Sequence, residues 1–464
     1  MNRPNIVWLT LESTRHDHTS FSASGEDTTP QLNKLANQLN SNSFDKCFSH
    51  GIWTKTSVPS ILTGTYPIQH GAGMDHDSIP EDLPTIAELL NEKGYSTACF
   101  SQNGHITGGT GLDRGFDDFV WFDRSSMHEV AGIKGLLKYI SQLRWHSAGY
   151  TTDTRKHSLS YLINESIKKR VDKSKEPIFL YAHYGDPHFP YIPPLPYLRE
   201  AVADLSLSVS EAMELSIEMT DNLISHIAHG CDFSDEEWEV ILALYNASIK
   251  YTDEQISSII EYLDSILGET IFIITGDHGE MLGEQDLIGH RLVTHDAICH
   301  VPLIIQGPTA LTEYDGIIQH IDIMRTLFEE INVKTETIQG KDLRKENRDY
   351  AIIQRGGPRA EKTISEIQNV NPDFDTNWIH RGTLTTLRTD SYKYEQSKSH
   401  TCLYELPDEE TNIIDKSSDK SSKFKIKLEE FTDEYTPHGT SKRSGKKVSE
   451  NVERQLKEMG YFID

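Results

Sequence analysis

The feature that most constrains the fold is a short apolar run that ends in polar residues. Residues 271–275 are almost all apolar or β-branched, which is typical of a strand buried inside a parallel sheet. Gly276 ends the run, and Asp277 and His278 follow it. Open α/β sheets bind ligands at the carboxyl ends of their strands, where the loops converge. A carboxylate and an imidazole there predict a divalent-metal site, although the same residues also suit a plain turn.

A second apolar run with a charged end opens the chain. Residues 5–11 are predicted to be a core strand rather than a signal peptide, because no small-residue cleavage site follows them. Glu12 stands at the carboxyl end of this strand, as Asp277 does on the later one. Glu12 is therefore a second candidate oxygen ligand, the alternative being a solvated loop acid.

The spacing of the remaining apolar runs predicts the fold class. Further buried strands are predicted at residues 95–101, 178–183 and 302–306, with helical patterns between them. Strands that alternate with helices indicate an α/β fold with a mostly parallel central sheet flanked by helices.

A change in composition near residues 335–349 predicts a domain boundary. We expect a catalytic α/β domain at residues 1–340 and a smaller C-terminal α+β subdomain at residues 341–464. Within the subdomain, an alternating pattern predicts a short antiparallel sheet. The polar segment from about 415 to 447 is predicted to be mobile, and a terminal helix is predicted after it.

Charge and composition exclude several classes of partner. The net charge of −26 disfavours nucleic acids and anionic membranes, and no window is apolar enough to span a bilayer. The five cysteines are unpatterned, which favours a reducing cytoplasm over a disulfide framework. A small anionic substrate would need local positive charge from a metal and basic side chains. The sequence carries no signal for an oligomeric state.

A cluster of hydroxyl residues lies at residues 51–71. Thr54, Thr56 and Ser57 precede an apolar pair and the Thr63-Gly64 step. Such a cluster commonly makes a loop and a helix cap. It also suits a nucleophilic hydroxyl at a helix N-terminus, where the helix dipole favours an anion.

Four stretches, in this order, resemble the sulfatase family within the alkaline phosphatase superfamily: LTLESTRHD, GIWTKTSVPSILTGTYPIQHG, HYGDPHFPYIPP and TGDHGEMLGEQDLIGHRLVTHDAICHVPLI. The segment RTDSYKYEQ…LYELPDEETN resembles the C-terminal subdomain of that family, so the resemblance covers nearly the whole chain. It implies the fold described above and a metal-dependent ester hydrolase.

The resemblance assigns site residues one position at a time. The implied metal ligands are Glu12, where the family usually has Asp, together with Thr54, Asp277 and His278. The implied catalytic residues are Thr54, His188 and His290, the last at a position that is commonly Lys. The implied substrate contacts are Arg15, Lys55 and Arg291. The implied cofactor is one divalent ion, Mn²⁺, Ca²⁺ or Mg²⁺, with Zn²⁺ as an alternative.

The position of the nucleophile departs from the family pattern. Sulfatases carry Cys-x-Pro-x-Arg, whose cysteine or serine is converted to formylglycine; here these positions hold Thr54, Thr56 and Val58. Because threonine cannot be matured to formylglycine, the resemblance implies that a Thr54 alkoxide cleaves or transfers a phosphoester. Two alternatives remain open. One is a sulfuric-ester hydrolase that works without formylglycine, and the other is a non-catalytic metal- or anion-binding protein of the same fold.

Overall fold

The computed structural model describes residues 3–23, 25–122, 132–151, 153–173, 175, 177–334, 336–435, 442–443 and 450–460. Within these residues the strands are β1 (Asn5–Leu11), β2 (Ser41–Ser43), β3 (Cys47–Phe48), β4 (Ser96–Ser101), β5 (Asp118–Trp121), β6 (Ile178–Tyr184), β7 (Thr270–Gly276), β8 (Met281–Leu282), β9 (Ile288–Gly289), β10 (Leu303–Gln306), β11 (Ile318–Gln319), β12 (Ala351–Arg355), β13 (Leu384–Arg388), β14 (Tyr392–Gln396) and β15 (Thr401–Glu405).

The α-helices of the described residues lie between and after these strands along the chain. They are Pro30–Ala36, Thr54–Thr63, Pro67–His70, Ile86–Asn91, Gly132–Ser141, Leu143–His146, Ser160–Val171, Leu195–Ala201, Val209–Asp221, Leu223–Ala228, Asp235–Ile266, Asp296–Cys299, His320–Glu330, Gly357–Val370, Ser418–Glu434 and Glu450–Glu458. None of the helices in the described part of the chain is both long and apolar enough to cross a membrane.

The central sheet confirms the predicted α/β class. In the described residues it has the order β2-β10-β7-β1-β6-β4-β5. The pairs among β7, β1, β6, β4 and β5 are parallel, whereas β10 runs antiparallel to both β7 and β2. The predicted strand at 302–306 is therefore an antiparallel member of a mostly parallel sheet.

Both faces of the sheet are covered, which explains why its central strands are apolar throughout. Alternate side chains of β1 point to opposite faces, so Ile6 and Val7 belong to different core clusters. The helix Thr54–Thr63 packs on the face that carries Ile6, through Val58, Ile61 and Leu62. The 32-residue helix Asp235–Ile266 covers the other face.

The register of three strands brings the candidate residues together. Leu11 at the end of β1 pairs with Gly276 of β7 on one side and with Tyr184 of β6 on the other. The residues that follow these strand ends, Glu12 and Asp277 among them, therefore lie level with one another at the carboxyl edge of the sheet. The strand register therefore determines where the candidate active site lies.

The C-terminal part contains the predicted antiparallel sheet, in the order β12-β13-β14-β15. The helix Gly357–Val370 follows β12, and the terminal helix Glu450–Glu458 lies where a last helix was predicted. The domain boundary at residue 340 stays a prediction.

The mobility expected of the segment from about 415 to 447 stays a prediction. This segment contains the helix Ser418–Glu434, while its residues 436–441 and 444–447 lie outside the described residues. Leu428 and Phe431, three positions apart on one helix face, are buried, and the Phe431 ring packs edge-on against Tyr66 at 4.9 Å between centroids. Two apolar anchors are enough because tertiary contacts supply most of the stability of a short helix.

Candidate active site

Two buried carboxylates form the centre of the site. Glu12 and Asp277 are fully buried at the ends of β1 and β7. The Oδ1 atom of Asp277 accepts hydrogen bonds from the backbone N–H groups of Ser13 (3.2 Å) and His278 (3.0 Å). The second oxygens, Glu12 Oε2 and Asp277 Oδ2, accept no well-formed hydrogen bond among the described residues. Buried carboxylate oxygens without donors are unfavourable unless a cation binds them.

The electrostatics of these carboxylates favour a bound cation. Burial raises the pKa of Asp277, and burial together with the nearby charge of Asp277 raises the pKa of Glu12. His183 lies near both carboxylates, with its Nε2 3.3 Å from Glu12 Oε2 and 4.0 Å from Asp277 Oδ2. Burial lowers the pKa of His183 to about 4, so the ring itself supplies no charge near neutral pH.

His278 has the tautomer expected of a metal ligand. Its Nδ1 lies 2.9 Å from the carbonyl oxygen of Gly279, so Nδ1 carries the hydrogen and donates it. The Nε2 lone pair then faces Thr54, whose Oγ1 is 3.3 Å away. Burial lowers the pKa of His278 to about 3, which keeps the ring neutral. A neutral imidazole held by a carbonyl is the usual form of a ligating histidine.

The hydroxyl of Thr54 lies beside both groups. Thr54 is the first residue of the helix Thr54–Thr63, and its Oγ1 is 3.2 Å from Glu12 Oε1. The neighbouring hydroxyls are directed elsewhere: Ser57 Oγ donates to the Gly51 carbonyl at 3.1 Å. Thr56 Oγ1 faces Gly73, where an added Cβ would lie only 2.4 Å away. Of these three hydroxyls, the one of Thr54 is next to the buried carboxylates.

Asn103 is a site residue that the sequence reasoning missed. Its Nδ2 donates to Glu12 Oε1 and lies 3.3 Å from Thr54 Oγ1, so one amide group links the Glu12 carboxylate to the Thr54 hydroxyl. Asn103 comes two residues after the end of β4, which pairs with β6 in the sheet. Its place just beyond a buried strand was the signal that could have revealed it.

His188 and His290 stand next to His278. The ring of His290 is 4.4 Å from that of His278 and 5.2 Å from that of His188, centroid to centroid. His188 Nδ1 donates to the Phe189 carbonyl at 2.6 Å, and His290 Nδ1 lies 2.9 Å from Glu280 Oε1. Burial lowers the pKa of His188 to about 4 and that of His290 well below its usual range. The structure thus brings all three predicted histidines into one group.

The three cations predicted to contact substrate have other partners. Arg15 forms ion pairs with Asp17 (2.7 Å) and Glu284 (2.6 Å). Lys55 pairs with Asp77 at the surface. Arg291 donates to the carbonyl oxygen of Gly460 in the C-terminal segment.

A fourth cation, Arg359, approaches the site from the C-terminal subdomain. Its guanidinium lies over the ring of Trp53, the residue before Thr54. Its charge contributes to the lowered pKa values of His188, His278 and His290, behind the larger effect of burial. Nothing in the local sequence around Arg359 marked it, because its role depends on how the subdomain packs.

The donor set fits a divalent cation. Two carboxylates, one neutral imidazole and one hydroxyl converge, and two of the carboxylate oxygens lack hydrogen-bond donors. Oxygen-rich sets with a single imidazole suit Mg²⁺, Mn²⁺ or Ca²⁺, and Zn²⁺ also accepts them.

This carboxylate and histidine group lies at the carboxyl edge of the sheet and beside the N-terminus of the helix Thr54–Thr63. The family profile described as Sulfatase matches residues 4–333, and the chain belongs to the sulfatase family. Members of this family generally bind a divalent metal ion.

The relatives are similar over most of the chain but distant in sequence. An uncharacterized sulfatase, YidJ, of Escherichia coli strain K12 is 23% identical over 74% of this chain and 71% of its own length. An arylsulfatase of Clostridium perfringens is 25% identical over 74% of this chain and 78% of its own. The solved phosphonate monoester hydrolase from Silicibacter pomeroyi superposes with a TM-score of 0.70 at 17% identity, covering 94% of this chain and 96% of that one. At this identity the structural likeness shows the fold alone.

Proposed function

We propose that this protein is a metal-dependent phosphoester hydrolase or phosphotransferase in which Thr54 is the covalent nucleophile. The observation that carries the proposal is the position of Thr54 Oγ1, 3.2 Å from Glu12 Oε1 and 3.3 Å from His278 Nε2, at the start of a helix. Glu12 Oε1 can accept the hydroxyl proton, His278 Nε2 is placed to hold the cation, and the positive end of the helix dipole favours the anionic ester.

Glu12, Asp277, His278 and Thr54 are the residues that would hold the cation. When bound, it supplies positive charge that lowers the pKa of the Thr54 hydroxyl and stabilises negative charge on phosphoryl oxygens. Asn103 keeps Glu12 and Thr54 in contact through its amide group. These hydrogen bonds fix Glu12 and Thr54 relative to each other, and such preorganisation limits the cost of reaching a reactive geometry.

The reaction then has two stages. Thr54 Oγ1 loses its proton to Glu12 Oε1, attacks phosphorus in line, and the bond from phosphorus to the organic oxygen breaks. We assign protonation of that oxygen to His188 or His290. The Nδ1 of His188 donates to a carbonyl oxygen, so its Nε2 would carry the transferred proton once the negative charge of the bound ester raises the pKa of the ring. Water or an alcohol acceptor then cleaves the phosphothreonine.

The comparisons support two ester classes. The threonine at position 54 cannot become formylglycine, which supports chemistry at phosphorus, and a solved protein named a phosphonate monoester hydrolase shares the fold. The names of the sequence relatives favour sulfuric esters, which makes a sulfatase working without formylglycine the second candidate.

The test measures 4-nitrophenyl phosphate and 4-nitrophenyl sulfate hydrolysis with Mn²⁺, Mg²⁺, Ca²⁺ and Zn²⁺ added separately. We expect faster turnover of the phosphate. Thr54→Ala should lose at least about 10³-fold in kcat, since only binding and electrostatics remain without a covalent nucleophile. Ser57→Ala is the matched control and should change kcat far less. Trapping with a slow phosphoester should place the phosphoryl group on the Thr54 peptide by mass mapping.

Three results would contradict the proposed function or favour another one. A phosphoryl group on Ser57, or full activity of Thr54→Ala, would reject Thr54 as the nucleophile. Faster turnover of the sulfate would favour the second candidate. A protein that binds metal but cleaves neither ester with any of the four ions would be a binding protein of this fold.

A further inference from the structure

A cavity of 560 Å³ adjoins the candidate active site. His188 belongs to its wall, as do Gln102, which precedes Asn103, and Gly185. Gly185 is so close to the carboxylates that a Cβ atom there would lie 2.9 Å from Glu12 Oε2. The cavity therefore begins where the ester would react, and its volume is in the range of about 300–1,000 Å³ typical of small-molecule sites.

The wall of this cavity is mainly apolar and comes from separate parts of the chain. Its large apolar side chains include Phe122, Tyr139, Leu143, Phe189, Ile192 and Met459. Met459 follows the terminal helix Glu450–Glu458, which is held in place by a hydrogen bond from Gln455 to the Gln102 carbonyl. Aromatic and branched side chains on several sides suit a flat, apolar ring system.

The charged side chains in the wall already have partners. Arg155 forms ion pairs with Asp153 and Asp221. The Nε atom of Arg454 lies 3.8 Å from Glu458 Oε1. Asp186 accepts a hydrogen bond from the hydroxyl of Ser160. A second anionic group on the ligand would have to compete with these carboxylates, so the cavity suits an uncharged organic group better than a multiply charged sugar.

We propose that this cavity binds the organic part of the ester and that this part is an uncharged, apolar ring system. The inference rests on the proposed function, because it takes the reacting ester to lie at Thr54. Burial of a ring in the cavity would hold the ester oxygen beside His188, so binding energy from the ring would raise kcat/KM.

The test compares two phosphomonoesters whose leaving alcohols have similar acidity. The esters are 2-(2-naphthyl)ethyl phosphate and ethyl phosphate, so their rates differ through binding of the ring rather than through leaving-group reactivity. We expect kcat/KM to be at least about tenfold higher for the naphthylethyl ester, the scale on which an apolar pocket discriminates. Equal kcat/KM values for the two esters would overturn the inference.

One helix offers a matched pair of variants. Ile140 lines the cavity and is 56% exposed, while Leu137 on the same helix is 60% exposed and is not among the cavity residues. Ile140→Asp should lower kcat/KM for the naphthylethyl ester about tenfold, and more than for ethyl phosphate, because it brings a charge into an apolar wall. Leu137→Asp should change neither.

Binding of 2-(2-naphthyl)ethanol, measured by calorimetry, separates this inference from the proposed function. We expect the alcohol to bind the wild-type protein and the Leu137→Asp variant, and to bind Ile140→Asp more weakly. If the alcohol binds in this way but no phosphoester is cleaved, the proposed function fails and the cavity assignment stands. If the alcohol does not bind the wild-type protein, or binds Ile140→Asp equally well, the cavity assignment is overturned.

Discussion

The guanidinium of Arg359 lies over the indole ring of Trp53, with its Cζ 3.8 Å from the ring centroid. Trp53 directly precedes Thr54, whereas Arg359 belongs to the helix Gly357–Val370 of the C-terminal subdomain. A hydrogen bond of 2.8 Å from the Gln354 N–H to the His50 carbonyl also joins the subdomain to the segment before Thr54. The subdomain therefore completes the site, because it provides a cation next to the proposed nucleophile.

Arg359→Ala should lower kcat/KM for a phosphoester by about 10²-fold, because it removes a fixed positive charge near the reacting centre. Arg359→Lys should recover part of this loss, since lysine keeps the charge but not the planar stacking on Trp53. Steady-state kinetics of both variants checks the prediction. The control is Arg381→Ala, which removes an exposed arginine paired with Glu361 in the same subdomain. If Arg359→Ala and Arg381→Ala behave alike, Arg359 has no part in catalysis.

The amide of Asn103 should matter for metal binding. Asn103→Ala removes the donor shared by Glu12 and Thr54, and we expect affinity for the divalent ion to fall about 10- to 100-fold, as is typical for groups that orient a ligand. Isothermal titration with Mn²⁺ measures the change. Asn91→Ala, which removes an exposed amide bonded to Asp117, is the control. Unchanged Mn²⁺ affinity in Asn103→Ala would show that Asn103 does not orient Glu12.

The two central carboxylates should be needed for metal rather than for folding. Glu12→Gln and Asp277→Asn each keep the side-chain shape, and Asp277→Asn retains an oxygen for the N–H groups of Ser13 and His278. We expect metal content, measured by elemental analysis, to fall in both variants, while the melting temperature without added metal is maintained or rises because a buried charge is lost. Glu26→Gln, at an exposed position, should keep its metal. Full metal content in Asp277→Asn would contradict the assigned site.

The antiparallel sheet contains a carboxylate that should make stability depend on pH. Burial alone would raise the pKa of Glu395, but its hydrogen bond with His380 and the charge of Lys393 outweigh burial and lower the pKa from 4.5 to about 2. Because the folded pKa is below the unfolded one, Glu395 stabilises the fold above about pH 4.5, and this contribution is lost as the pH falls towards 2. It amounts to on the order of 3 kcal/mol.

Urea unfolding between pH 7 and pH 3 measures this contribution. Glu395→Gln should be less stable than the wild type at pH 7, and the difference should shrink as the pH falls. Glu405→Gln on the neighbouring strand β15, where the side chain is exposed, should follow the wild type throughout. A stability difference between Glu395→Gln and the wild type that does not change with pH would count against this explanation.

Five strands of the central sheet, β1, β4, β6, β7 and β10, could be predicted from the sequence. The continuous apolar runs of β1 and β7 identified buried parallel strands, and their ends identified Glu12, Asp277 and His278 as candidates. This was possible because a strand buried on both faces leaves a local, uninterrupted pattern, and the residue after it lies at the sheet edge. The resemblance to the sulfatase family implied Thr54 among the three neighbouring hydroxyl residues.

Only the tertiary structure reveals the contacts between residues that are far apart in the chain. The pairing of Arg359 with Trp53, the position of Asn103 between Glu12 and Thr54, and the wall that Met459 adds to the cavity leave no local pattern. The same holds for the helix Ser418–Glu434, whose polar composition hides the two side chains that anchor it. Propensity and periodicity report on neighbours within a few turns of chain, whereas these contacts form only when separate elements pack against one another.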